Sequence, residues 1–227
     1  ITRELITRFQ HLAESFDTQL PELAQPLETL ARLARFAERY GTRQQFFNGC
    51  ADNPQLLRVL ALLCDRSGYI VELLCAHPEI LEEVLRPEIL RQKKSRTDLA
   101  GELAAGPPGA ERDAWLWLYV RAEQVRHAIG ELLGVFSIEE VEAGLSQLAD
   151  AVLAHVCPSP KLLIVALGKY GGAELTFGSD LDVLRGAAEG DEQTAGDALQ
   201  RLQRTLRYGG PLAVAYEFDL RLRPHCD

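Results

Sequence analysis

The fold class of this chain is decided by the segment Leu162-Leu-Ile-Val-Ala-Leu-Gly-Lys-Tyr-Gly-Gly-Ala-Glu-Leu-Thr-Phe-Gly-Ser-Asp-Leu-Asp182. It opens with six consecutive apolar residues, and such a run predicts a buried β-strand. Glycines follow at positions 168, 171, 172 and 178, and they predict a loop. The last residues, from Gly178 onward, predict a second strand that carries two carboxylates. The segment therefore predicts an α/β unit.

The residues on either side of this segment differ in kind. Before it, apolar residues recur every three or four positions, interrupted by proline, glycine and capping residues, which predicts a bundle of helices. Cys157-Pro-Ser-Pro160 ends that pattern, and the second half of residues 214–223 alternates apolar with polar side chains as a strand does. We expect an α+β fold with a helical domain at residues 1–159 and an α/β domain at residues 160–227.

Residues that typically begin or end helices predict the bounds of several helices. The first predicted helix spans residues 5–20 and ends at Pro21. The second begins at Pro26, and its inward face is predicted to consist of Leu27, Leu30, Leu33 and Ala37. Asn53 is the predicted N-cap of a further helix, and Ser137 with Glu140 is a predicted capping box. The core face of that last helix is predicted to be Val141, Leu145, Leu148 and Val152.

Composition excludes several classes of function. The 227 residues are 47% hydrophobic and 25% charged, which is typical of globular proteins, and no apolar run approaches the roughly 18 residues of a membrane span. The net charge of −9 argues against a nucleic-acid partner, because a surface of that sign repels phosphates. Five cysteines without a CxxC pair favour reduced thiols. We expect a cytoplasmic protein with neither a membrane nor a nucleic-acid partner.

The absence of methionine suggests that residues are missing from the sequence, because the chain is rich in leucine. We therefore expect the α/β domain to be incomplete.

Three aspartates carry the predicted chemistry. Asp180 and Asp182 are two residues apart on a predicted strand, so their side chains point to the same face. Like charges held side by side are costly unless a cation lies between them, and Mg²⁺ prefers oxygen ligands. Asp219 adds a third carboxylate, and Arg221 and Arg223 follow it at the same spacing. This pattern predicts a two-metal phosphoryl-transfer site, although an acidic turn and a ladder of surface salt bridges are the alternatives.

Three motifs in order resemble a known family. They are Gly168-Lys-x-Gly-Gly-x-Glu-Leu175, Gly178-Ser-Asp-Leu-Asp182 and Asp219-Leu-Arg-Leu-Arg-Pro224. Together they resemble the nucleotidyltransferase signature of the glutamate-ammonia-ligase (glutamine synthetase) adenylyltransferase / adenylyl-removing enzyme family. The resemblance implies a helical bundle followed by a polymerase-beta-like nucleotidyltransferase domain. The Gly-Ser-Asp-Leu-Asp string favours the C-terminal, adenylylating half of such enzymes.

The resemblance also implies residue roles. Asp180, Asp182 and Asp219 would be the catalytic residues and the ligands of two Mg²⁺ ions, with Asp219 placed to help deprotonate the nucleophile. ATP would be the substrate. The predicted nucleotide-binding residues are Gly178, Ser179, Lys169, Arg221 and Arg223. Gly178 permits close backbone approach to a phosphate, and Ser179 offers a hydroxyl and an amide donor.

Three functions stay open at this point. The first is transfer of AMP from ATP to a tyrosine hydroxyl of glutamine synthetase, which regulates nitrogen assimilation. The second is phosphorolytic removal of AMP from adenylylated glutamine synthetase. The third is a catalytically inactive module that senses ATP. For either enzyme the resemblance implies glutamine synthetase as the protein substrate and a PII-type nitrogen regulatory protein as a partner.

Overall fold

A computed structural model describes Glu14, Asp17 and residues 23–40, 43–206 and 216–220 of the chain. The described residues are mostly helical and include a small three-stranded mixed sheet, which confirms the predicted α+β class. They form two compact units. One comprises the described residues up to Leu90 together with Ala128–Val135, and the other comprises Arg91–His127 and the described residues from Phe136 onward.

The first unit contains six helices among its described residues. They are α1 (Pro26–Arg39), α2 (Arg43–Asp52), α3 (Pro54–Arg66), α4 (Gly68–Ala76), α5 (Glu79–Val84) and α6 (Pro87–Leu90). The predicted cap of α3 is confirmed, because the Asn53 side chain accepts a hydrogen bond from the Leu56 amide at 3.3 Å. The predicted helix at residues 5–20 lies outside the described residues except for Glu14 and Asp17, which are helical.

The predicted inward face of α1 is wrong in part. Leu27 is 85% exposed and Leu30 is 41% exposed. The residues that α1 does bury are Thr29, Leu33, Phe36 and Ala37. The buried Asp65 carboxylate explains the rotation. It accepts hydrogen bonds from the Ala24 and Gln25 amides and from the Thr29 hydroxyl, so the start of α1 turns Thr29 inward instead of its leucines.

The second unit holds the sheet and the remaining helices. These helices are α7 (Arg96–Ala104), the part of α8 (Arg112–Leu132) up to His127, α9 (Ile138–Val156), the short α10 (Gly168–Gly171) and α11 (Glu192–Leu206). The capping box of α9 is confirmed, since Ser137 and Glu140 exchange side-chain to amide hydrogen bonds. Its predicted core residues are all buried. α9 packs against α7 and α11.

The sheet has the strand order β1 (Leu163–Ala166), β2 (Leu181–Gly186), β3 (Phe218–Asp219). β1 pairs with β2 in antiparallel fashion, and β3 pairs with β2 in parallel fashion. The prediction that the apolar run forms a buried strand is wrong as to burial, because Leu163 is 61% exposed and Val165 is 42% exposed. β1 is an edge strand among the described strands, and its register places Leu163 and Val165 opposite Gly186 and Leu184, on the face of the sheet away from the buried Leu181 and Val183.

The change from helices to strands falls close to the predicted boundary, since α9 ends at Val156 and β1 begins at Leu163. The compact units divide the chain elsewhere, because α7 and α9 group with the sheet. The division into domains at residues 159 and 160 stays a prediction. Within the part of the chain that the structure describes, no helix combines the length and the apolar character needed to cross a membrane.

Candidate active site

The structure brings the three predicted aspartates together. Asp180 immediately precedes β2, Asp182 lies within it, and Asp219 lies on β3. The parallel register sets Asp182 directly opposite Asp219, and the Leu181 amide donates a hydrogen bond to the Glu217 carbonyl oxygen at 2.7 Å. As a result, oxygen atoms of all three carboxylates lie within 4.8 Å of one another.

The acidic side chains occupy the more open face of β2. Leu181 and Val183 are fully buried, whereas Asp182 is half-buried and Asp180 is exposed, as the alternation of a strand requires. Neither Asp180 nor Asp182 makes a side-chain hydrogen bond or an ion pair with another described residue. Three carboxylates at this separation repel one another, and hard oxygen donors are the ligands that Mg²⁺ takes. The donor set therefore fits a divalent cation.

Gly168 lies against the Asp182 side chain. Its φ of +53° is in the left-handed region, and a Cβ atom at this position would lie 2.5 Å from Asp182 Oδ2. The backbone is tied to the same residue, since the Leu167 amide donates to the Asp182 carbonyl oxygen at 2.8 Å. The backbone conformation therefore favours glycine here, and a Cβ atom would require the Asp182 carboxylate to shift.

The turn before Asp180 uses both predicted phosphate-binding residues. Gly178 has a φ of +75°, which favours glycine. Ser179 closes the turn on Thr176: its hydroxyl accepts from the Thr176 amide at 3.3 Å and lies 2.8 Å from the Thr176 hydroxyl, and its own amide donates to the Thr176 carbonyl oxygen. The hydroxyl and the amide of Ser179 thus both take part in shaping the turn.

Of the three predicted basic residues, Lys169 is the one that the structure describes. Lys169 is exposed on α10, directly after Gly168. Arg221 and Arg223 lie outside the described residues, as does most of the predicted strand at 214–223, of which β3 is the described part. Their roles toward a nucleotide stay predictions.

The sequence analysis missed two residues of α9 that hold the glycine-rich loop. The Tyr170 hydroxyl donates to Asp150 Oδ1 at 2.6 Å, and the Leu175 amide donates to Ser146 Oγ at 3.3 Å. Tyr170 is buried, and burial together with the hydrogen bond to Asp150 raises the pKa of its hydroxyl. The available signal was the i, i+4 spacing of Ser146 and Asp150, which places two polar groups on one side of a helix.

The family model for glutamate-ammonia ligase adenylyltransferase matches residues 55–160 and 156–227, which is most of the chain and includes all three aspartates. The chain belongs to the glutamate-ammonia ligase adenylyltransferase family. Membership confirms the resemblance that the motifs indicated.

Curated relatives of the family carry a two-part name. One relative is the bifunctional glutamine synthetase adenylyltransferase/adenylyl-removing enzyme of Neisseria meningitidis serogroup A, 31% identical over 97% of this chain and 27% of the relative. The protein of the same name from Neisseria meningitidis serogroup B is 30% identical over 96% of this chain and 27% of its own length. That of Chromobacterium violaceum is 31% identical over 87% and 24%. The chain thus spans about a quarter of the length of these family members.

Proposed function

We propose that this chain transfers AMP from ATP to a tyrosine hydroxyl of glutamine synthetase and thereby regulates nitrogen assimilation. The observation that carries the proposal is the cluster of Asp180, Asp182 and Asp219 within 4.8 Å, in a chain that belongs to an adenylyltransferase family. The close approach of Gly168 to the Asp182 carboxylate, which couples the glycine-rich loop to this cluster, also supports the proposal.

The three aspartates are the residues that would hold Mg²⁺, because carboxylate oxygens suit this ion and these lie close enough together to share it. When bound, two such ions supply charge stabilisation to the attacking and leaving oxygens of an in-line displacement at phosphorus.

The remaining steps fall to side chains of this chain. Asp219, half-buried on β3, is placed beside the other two carboxylates and would accept the proton of the tyrosine hydroxyl as it attacks the α-phosphorus of ATP. The turn at Gly178 would let the backbone approach the triphosphate. Lys169, Arg221 and Arg223 would offset the negative charge that builds up on the leaving pyrophosphate.

We further propose that the sheet and its helices form a polymerase-beta-like nucleotidyltransferase domain of the C-terminal, adenylylating half. The parallel pairing of β2 with β3, which aligns Asp182 with Asp219, supports this arrangement. We expect the reaction to take place in the cytoplasm, with a PII-type nitrogen regulatory protein controlling it.

Removal of AMP by phosphorolysis is the second candidate. The names of the curated relatives include an adenylyl-removing activity, and attack of inorganic phosphate on the same α-phosphorus would use the same three carboxylates. The two reactions differ in the attacking oxygen, so their dependence on ATP and on inorganic phosphate separates them.

The test is intact-mass analysis of glutamine synthetase after incubation with the full chain. One sample receives Mg·ATP with unmodified glutamine synthetase, and the other receives inorganic phosphate with the adenylylated form. A gain of one AMP that is lost with Asp180→Asn plus Asp182→Asn, and kept with the exposed Asp197→Asn on α11, supports the proposal. Phosphate-dependent loss of AMP supports the second candidate. Neither reaction, with ATP binding retained, supports an ATP-sensing module.

A further inference from the structure

We propose that Ser146 and Asp150 of α9 are positioning residues of the site. They hold the glycine-rich loop, residues 168–175, so that Gly168 stays against the Asp182 carboxylate. The inference rests on the proposed function, because the consequence it assigns to this contact is tighter binding of a Mg²⁺-nucleotide. No residue of α9 belongs to the three motifs that indicated the family.

Ser146 and Asp150 are the two anchors of the loop, and they bind it near both of its ends. Ser146 and Asp150 are one helical turn apart and therefore share one face of α9. Asp150 accepts the hydrogen bond of the buried Tyr170 hydroxyl at 2.6 Å, and Ser146 accepts that of the buried Leu175 amide at 3.3 Å. The Ser146 hydroxyl donates its own proton to the Glu142 carbonyl oxygen at 2.9 Å, so an oxygen lone pair is available for Leu175.

Between the anchored residues, the loop backbone adopts an energetically costly conformation. Ala173 has a φ of +58°, a left-handed conformation that is costly for a residue with a Cβ atom. The Glu174 amide donates to the Lys169 carbonyl oxygen at 2.7 Å, which closes the loop on itself. At Gly171 a Cβ atom would lie 2.7 Å from the Ala166 carbonyl oxygen, so the loop also packs tightly on the end of β1. Such a conformation persists where surrounding contacts hold it.

The short helix α10 connects the anchors to the acidic cluster. Tyr170 lies two residues after Gly168, on the same short helix α10, and Gly168 sits where any added atom would meet Asp182 Oδ2. A displacement of α10 therefore changes the space available to that carboxylate. Because metal and phosphate sites tolerate only small errors of geometry, the loss of one anchor is expected to weaken binding without removing a ligand.

Arg96 adds a weaker contact to the same anchor. Its guanidinium lies 3.7 Å from the second carboxylate oxygen of Asp150, and the two side chains are 63% and 41% exposed. Exposed pairs of this kind contribute little. The Tyr170 hydroxyl is thus the principal partner of Asp150, and its removal is the sharpest perturbation.

The test compares two tyrosine variants in the full chain. Tyr170→Phe removes the hydroxyl that contacts Asp150, and Tyr119→Phe removes a hydroxyl that donates to Glu102 at the same 2.6 Å, away from the loop. Both lose a hydrogen bond to a carboxylate, so their melting temperatures should fall by similar amounts. We expect Tyr170→Phe to weaken binding of Mg·α,β-methylene-ATP about 10-fold in isothermal titration calorimetry, the scale of a hydrogen bond to a charged group. Tyr119→Phe should leave the affinity unchanged.

Variants of Asp150 and amide hydrogen exchange test whether the hydrogen bond itself positions the loop. Asp150→Asn retains an oxygen acceptor and should bind the analogue nearly as the wild type does, whereas Asp150→Ala should behave as Tyr170→Phe does. Amide hydrogen exchange at residues 171–175 should accelerate in Tyr170→Phe and not in Tyr119→Phe. Equal affinities of the two tyrosine variants, with a wild type that binds, would overturn the positioning role alone. A wild type that binds no Mg²⁺-nucleotide would overturn the proposed function and this inference with it.

Discussion

Two groups of acidic side chains in the same compact unit have opposite environments. Glu123 on α8 is buried, and its carboxylate contacts Lys94 Nζ at 2.7 Å and two guanidinium nitrogens of Arg126 at 2.8 and 3.0 Å. The aspartates around β2 lie within 4.8 Å of one another, and Asp180 and Asp182 have no ion-pair partner among the described residues. One group is neutralised from within the fold, and the other concentrates charge at its surface.

The titration of Glu123 reflects that neutralisation. Burial acts to raise its pKa, but the charges and hydrogen bonds of Arg126 and Lys94 outweigh burial and hold the pKa below its usual range. Arg126 is satisfied further by the Gln92 carbonyl oxygen at 2.7 Å, and Lys94 by Glu102. The difference predicts that substitution of Glu123 reduces stability, whereas substitution of an aspartate of the acidic cluster reduces binding and activity.

The largest expected effect is on activity at the acidic cluster. Asp182→Asn removes a carboxylate, and we expect AMP transfer to fall by about 1,000-fold or more, since metal-bound charge stabilisation is worth several kcal/mol. The melting temperature should stay the same or rise, because one of three repelling charges is gone. Intact-mass assays and thermal unfolding, with Asp197→Asn as the control, measure both quantities. Transfer at the wild-type rate would contradict the assignment.

The reverse pattern is expected at the buried cluster. Glu123→Gln leaves the buried charge of Arg126 without its carboxylate and Lys94 with Glu102 alone, and the free energy of unfolding should fall by about 3–5 kcal/mol. Urea denaturation measures this loss, and the exposed Glu189→Gln should remain within about 0.5 kcal/mol of the wild type. Nucleotide affinity at a temperature where the variant is folded should be unchanged. A loss of stability no larger than that of the control would refute the comparison.

Gly168→Ala tests how closely the loop and the carboxylate are coupled. The new methyl group would displace Asp182 Oδ2, and we expect activity to fall about 100-fold, as small errors of geometry at a reacting centre cost that much. Stability should fall by only about 1 kcal/mol, from the positive φ. Gly101→Ala on α7, where an added Cβ atom has no neighbour within 4 Å, is the matched control and should not reduce activity.

The smallest expected effect is the pH dependence of stability from His127, which adjoins the buried cluster. Burial, and then the charge of Arg126, lowers the pKa of His127 to about 4, while its Nδ1–H donates to the Glu123 carbonyl oxygen. The unfolded chain binds the proton at about pH 6.5, so stability should fall by about 2 kcal/mol between pH 7 and pH 5. His127→Gln should flatten this slope in urea titrations. An unchanged slope would show that His127 is not its source.

Much of the site could be predicted from the sequence because its spacing is local. The i, i+2 pattern of Asp180 and Asp182 follows from strand geometry. Asp219 pairs with Asp182 across 37 residues, and its place in the site was predictable because its motif resembles that of the family. Capping at Asn53 and Ser137 was predictable from local spacing, since a cap acts within three residues.

What the sequence analysis missed depends on contacts far apart along the chain. The rotation of α1 follows from Asp65, 36 residues after Thr29, and no count of apolar residues contains that partner. The exposure of Leu163 and Val165 follows from the register of β1 on β2, which places both side chains on the same open face as Asp182. The anchors of the loop join residues 20 and 29 positions apart, so they emerge only when α9 meets the loop.

The most direct test of the central claim is a calorimetric titration of the full chain with α,β-methylene-ATP, with and without Mg²⁺. The wild type should bind the analogue only when Mg²⁺ is present, and Asp180→Asn plus Asp182→Asn should abolish that binding while the fold is retained. Binding that needs neither Mg²⁺ nor the two aspartates, or no binding by the folded wild type, would contradict the assignment of the acidic cluster as a metal and nucleotide site.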